Sequence, residues 1–85
     1  MESTDHRLYD SLNRMIETVT TPESSNIEEI SYDDVQEELT VTFRKSGQYA
    51  YEAVPAFVWR DFSAAPSKGQ FLNELIKPNY LARRL

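Results

Sequence analysis

The chain predicts an α+β fold: an N-terminal helix, a three-stranded antiparallel β-meander, and two C-terminal helices packed on one face of the sheet. Three observations predict it. Apolar residues recur at helical spacing over the first twenty residues. Period-two alternation runs through the middle. Pro55 and Pro66 then punctuate a C-terminal third with helical apolar stripes.

Leu8, Leu12, Met15, Ile16 and Val19 fall at steps of four, three, one and three, which places them on one helical face. Thr4 or Asp5 is suited to cap the first turn. The helix is expected over 5–19. It ends at "TVTTP", where β-branched residues lower helix propensity and Pro22 biases Thr21 away from helical backbone. Residues 22–26 read as a loop.

Residues 27–33 read as a strand in which Ile30 and Tyr32 alternate. Ile27 is out of phase, so either the strand starts later or a bulge sits at Glu28-Glu29. Residues 39–45 alternate Leu39, Val41 and Phe43 with Thr40, Thr42 and Arg44. This is the clearest strand in the chain. "KSGQ" is a hairpin turn in which Gly47 is free to take positive φ, and 48–54 form the third strand. Pro55 opens the second helix, with Val58 and Phe62 on its apolar face. "APS" breaks that helix. Ser67 caps a third, striped by Phe71, Leu72, Leu75 and Ile76, and Pro78 stops it. The division expected is a helical extension over 1–22 and a compact domain over 23–85.

With 85 residues the chain is one domain, with a core but no room for a deep substrate cavity. It has no cysteine, so neither disulfides nor thiolate metal ligands hold it together. No apolar run approaches a membrane span, and the acidic N-terminus lacks a signal-peptide pattern. A soluble, cytoplasmic protein is expected, with no membrane partner. The net charge of −5 hides an asymmetry. Up to Glu38 there are 11 carboxylates against 2 basic residues; from Leu39 onward there are 3 against 7. A basic half points to a polyanion, and a solvated surface gives the same pattern.

Several blocks carry a resemblance. "SSNI", "SYD", "LTVTF", "GQYAY", "VP", "APSKGQFLNELI" and a final "Y…RR" occur in this order. From Ser24 to Arg84 the chain resembles the KTSC domain. The central signature is Tyr49-Ala50-Tyr51; the second is Ser67-Lys68-Gly69 followed by Phe71 and Asn73. KTSC domains occur alone in small microbial and phage-type proteins and appended to some lysyl-tRNA synthetases. That setting implies RNA binding, and the resemblance brings no catalytic residues.

Tyr49 and Tyr51 share a strand face. They are either a stacking platform for bases or a pair of core residues, and hairpin register decides. Opposing Phe43 with Tyr49 and Val41 with Tyr51 puts both on the buried face. Their hydroxyls then need partners, which Asn73 or a tail arginine is placed to supply. Ser67-Lys68-Gly69 opens a helix, where free N–H groups, a lysine and a glycine suit a phosphate. The order is not that of a Walker loop. The alternative is an N-cap with a glycine needed for helix packing. Arg83 and Arg84, with Lys77 and Tyr80, form a basic–aromatic tail that either extends the anion site or is simply solvated. Trp59 is core or an exposed binding aromatic.

Asp33, Asp34, Glu37 and Glu38 lack calcium-loop spacing, and no metal or cofactor is expected. His6, the only histidine, has no triad around it. The sequence therefore predicts a non-enzymatic module binding RNA, single-stranded nucleic acid or a nucleotide phosphate through Ser67, Lys68, Gly69, Tyr49, Tyr51, Asn73, Arg83 and Arg84. The alternative is a protein–protein adaptor or homodimer docking through Leu8, Leu12, Met15 and Val19.

Overall fold

The computed structural model describes the backbone of residues 5–9 and all of residues 15–85. Six strands form one antiparallel sheet in chain order: β1 Asp5–Tyr9, β2 Met15–Thr20, β3 Ile27–Asp33, β4 Glu38–Phe43, β5 Gly47–Tyr51 and β6 Ala82–Arg84. Between β5 and β6 come helix α1, Ala56–Ala64, and helix α2, Lys68–Phe71. The latter continues directly into a wide π-helical turn, Leu72–Ile76. There the Lys77 N–H reaches the Leu72 carbonyl, five residues back.

This corrects the expected fold. No helix spans 5–19, and among the described residues the sheet has six strands rather than three. The spacing of Met15, Ile16 and Val19 suits a helix, yet "MIETVT" is dominated by β-branched side chains that fit a pleated surface. β2 pairs with β3 through Val19–Ile30 and Thr18–Ser31, closing an edge that would otherwise be open. Residues three apart lie on opposite faces of a strand. Val19 is accordingly buried and Ile16 half-exposed on the other side, so no continuous apolar stripe remains. The helical face expected to carry Met15 and Val19 for docking is therefore absent. Leu12 lies outside the described residues, as do the side chains of Leu8 and His6.

Ile27 is brought into the core by a bulge. The β3–β4 register shifts between Ile27 and Glu29, so Ile27 joins Ile30 and Tyr32 on the inner face with no exposure. The β4–β5 hairpin turns through three residues, Arg44 to Ser46. Gly47 follows at φ 85°, a conformation that other residues rarely adopt. Val41 therefore opposes Tyr49 and Leu39 opposes Tyr51, two positions from the expected pairing. A two-residue shift preserves the face, so both tyrosines remain on the inner side.

The two helices cover that inner face. Trp59, Phe62, Leu72 and Ile76 pack with Val19, Tyr32, Leu39, Val41, Phe43 and Tyr51 in one core. Trp59 is core: its ring stacks on Tyr32 at 5.5 Å, and its Nε1–H donates to the Glu17 carboxylate. The tail is ordered as β6, which pairs with β5 through Tyr49–Arg84 and Ala50–Arg83. In the acidic turn, the Asp33 carboxylate accepts from the Val35 and Gln36 N–H groups, so its geometry is that of a turn cap. Among the described residues no helix is long and apolar enough to cross a membrane.

Candidate binding site

A meander laid down in chain order converts the charge asymmetry along the sequence into one across the sheet. Residues 15–38, which build β2, β3 and the next turn, carry eight carboxylates and no lysine or arginine. The seven basic residues after Glu38 lie on or beside β4, β5, β6 and the helices. One pocket lies on this basic side.

Its volume is about 320 Å³, and Asn26, Phe43, Ser46, Tyr49, Tyr51, Lys77 and Ala82 line it. Phe43 and Tyr49 meet edge to face at 5.7 Å. The Lys77 ammonium stands 5.8 Å from the Phe43 ring centre, and the Arg84 guanidinium lies at the same distance from the Tyr49 ring centre. Neither cation has a carboxylate partner among the described residues. The loop bringing Asn26 to the rim is tied down. Thr21 Oγ1 donates to the Ile27 carbonyl at 2.7 Å, and the Arg44 guanidinium donates to the Ser24 and Thr21 carbonyls. The Arg44 N–H donates to the Asn26 carbonyl at 2.9 Å.

Tyr51 forms part of the pocket floor and is only 4% exposed. Its hydroxyl finds no hydrogen-bond partner among the described residues. No described side-chain polar atom is both sealed from solvent and unpaired, so this hydroxyl keeps solvent access in a residue that lines the pocket. Burial, and then the neighbouring Tyr49, push its pKa upward.

A second pocket of about 240 Å³ adjoins through Asn26, between residues 23–26 and Pro66, Ser67, Lys68 and Gly69. Ser67 is an N-cap: its hydroxyl accepts the Gln70 N–H at 3.2 Å. Lys68 is 7% exposed, and its ammonium donates back to the Ala65 carbonyl at 2.6 Å, near the end of α1. Gly69 packs against no helix, since a Cβ there would meet nothing within 4 Å.

The eight expected site residues thus separate. Tyr49, Tyr51 and Arg84 gather at the first pocket, and Ser67, Lys68 and Gly69 line the second. Arg83 points to the other face of the sheet, where it pairs with Glu38 at 2.9 Å and Glu52 at 3.5 Å. Strand alternation separates it from Arg84. Asn73 is exposed, lines neither pocket and does not reach the tyrosine hydroxyls. Phe43, Asn26 and Ser46 were not expected at the site. Phe43 reads as an ordinary core position in its strand, and the other two as turn residues. Lys77 was visible only as part of a basic tail.

Comparison with known proteins accounts for the blocks. The family model of the KTSC domain matches residues 23–80. The chain belongs to the KTSC domain family. A crystal structure of a KTSC domain protein from Yersinia pestis superposes with a TM-score of 0.72 at 32% identity, covering 96% of this chain and 99% of that one. A Tsukamurella paurometabola protein is 40% identical over 60 residues, 71% of this chain and 90% of its own length. A lysine–tRNA ligase of Nostoc punctiforme is 39% identical over 64 residues, 75% of this chain. The aligned segment is 11% of that ligase. Tyr49, Tyr51 and the Ser67–Gly69 turn all fall inside the KTSC match, whereas β6 and Arg84 lie beyond its end.

Proposed function

We propose that this KTSC domain is a non-enzymatic binding module for single-stranded nucleic acid, RNA in the first place. One observation carries the reading: two cations without carboxylate partners among the described residues, Lys77 and Arg84, stand over the aromatic rings that line an open pocket. Single-strand binders combine the same two elements, aromatic or guanidinium surfaces for bases and cations for the backbone. The half-buried Tyr49 ring and the Arg84 plane supply the first; Lys77 and Arg84 supply the second. Lysine–tRNA ligases that share the domain support RNA over DNA and a cytoplasmic setting. The second pocket extends the footprint through Asn26, with the open side of Gly69 facing a backbone phosphate. Lys68 is spent on Ala65 and is not a phosphate ligand in this scheme.

Fluorescence anisotropy with a labelled single-stranded RNA, at low and at physiological salt, tests the proposal. The wild type should bind with a measurable salt slope. Lys77→Ala combined with Arg84→Ala should weaken binding at least about tenfold and lower the slope by roughly 1.4, about 0.7 per lost contact. No binding by the wild type, or an unchanged affinity and slope in the double variant, would sink it.

A further inference from the structure

Nearly all of Tyr51 is buried, yet its hydroxyl has no hydrogen-bond partner among the described residues, and the residue lines the pocket. Folding gains nothing from a hydroxyl so placed, because phenylalanine would pack the same ring without it. A ligand that hydrogen-bonds inside the pocket gives that hydroxyl a use. We infer that the pocket takes one unstacked nucleobase, read by its edge, and that it prefers a base with a keto oxygen where cytosine and adenine carry an exocyclic amine, namely uracil (O4) or guanine (O6). This rests on the single-strand reading above and adds to it a preference among bases.

The pocket's size and lining select such an occupant. Ligand pockets start at about 300 Å³, so about 320 Å³ suits one small ring system and not a stretch of strand. Phe43 and Tyr49 form an apolar wall, and Ala82, a small residue, leaves the β6 side open. The polar groups are the Tyr51 and Ser46 hydroxyls, the Asn26 amide and the Lys77 ammonium. Hydroxyls and the amide both donate and accept, while the ammonium only donates. The lining therefore has more donors than acceptors, which a keto oxygen satisfies better than an exocyclic amine. At the mouth, Arg84 is placed for the phosphate of the same or the next nucleotide.

The experiment is a panel of labelled oligo-U, oligo-A and oligo-C of equal length, titrated into wild type, Tyr51→Phe and Asn26→Ala. Uridine monophosphate is then added to isotope-labelled protein, and chemical shifts at Tyr51 and Ser46 are followed. Oligo-U should bind tighter than oligo-A or oligo-C by roughly two- to tenfold, the worth of one net hydrogen bond. Tyr51→Phe should erase that gap by lowering oligo-U affinity more than oligo-A affinity, with an unchanged melting temperature, since the hydroxyl has no partner to lose among the described residues. Asn26→Ala should narrow the gap, and it keeps the test open if the tyrosine variant misfolds. Equal affinities unaffected by Tyr51→Phe would overturn the base pocket and leave the single-strand reading standing. Uridine shifts at Tyr51 without oligomer binding would keep the pocket and overturn the strand. Shifts confined to other residues, with no oligomer binding, would overturn both.

Discussion

The Arg84 guanidinium lies 5.8 Å from the centre of the Tyr49 ring, and the two residues are register partners across β5 and β6. The neighbouring arginine faces the other way and is held by Glu38 and Glu52. Two adjacent arginines therefore have separable roles. Arg84→Ala should weaken RNA binding by roughly three- to tenfold and reduce the salt slope by about 0.7. Arg83→Ala should leave both unchanged and cost at most about 1 kcal/mol of stability, because its ion pairs are half-exposed. Anisotropy and thermal denaturation of the two single variants decide it. Equal binding losses would mean that the faces do not matter.

Lys68 makes a different prediction from the one its motif suggests. Its buried stem and its bond to the Ala65 carbonyl tie the start of α2 to the end of α1. Lys68→Ala should lower unfolding free energy by about 1–2 kcal/mol, leaving that carbonyl without its ammonium. RNA affinity of the folded variant should stay within twofold of wild type. Urea denaturation and anisotropy on the same preparation check the two halves; a large affinity loss with unchanged stability would return Lys68 to the site.

Gly69 sits in the first turn of α2 with open space where a Cβ would be. Gly69→Ala should therefore raise stability by a few tenths to about 1 kcal/mol, from helix propensity alone. If the second pocket carries a strand phosphate, the same methyl group should weaken RNA binding. A higher melting temperature with weaker binding is the expected pair of outcomes, read by calorimetry and anisotropy.

Tyr32 predicts an alkaline limit. Burial, followed by the charges of Glu37, Asp34 and Asp33, raises its pKa from 10.0 to about 12. Between these values the unfolded chain has released a proton that the folded chain keeps. This group's contribution is thus fully present below pH 10 and is lost as pH rises towards 12. Its hydroxyl also donates to the Val54 carbonyl at 2.6 Å, so Tyr32→Phe should cost roughly 1 kcal/mol at neutral pH. The variant should also show a shallower fall above pH 10. Urea midpoints measured from pH 8 to 11.5 test the slope.

Much of the site was legible where local chemistry decides. Ser67 as a cap, Gly47 in the hairpin and the inward face of Tyr49 and Tyr51 follow from spacing and turn chemistry. The face survived even though the register moved by two, because strand parity is insensitive to an even shift. Asn26 and Ser46 were not legible. They come from separate loops and line one pocket with Tyr51; Asn26 is held there because Arg44 ties the 21–27 loop to the end of β4.

By itself the sequence determined the inner strands β3 to β5, the caps and breaks of the two helices, and the family to which the chain belongs. Each rests on residues that act on near neighbours, so no distant contact was needed to read them. Tertiary structure alone decided β1 and β2, because Met15, Ile16 and Val19 satisfy both a helical period and a strand, and pairing with β3 tips the balance. It also decided that Lys68 turns inward and that Arg84, not Arg83, stands over Tyr49. An isolated lysine or arginine is indifferent to direction; what it packs against sets where its charge goes.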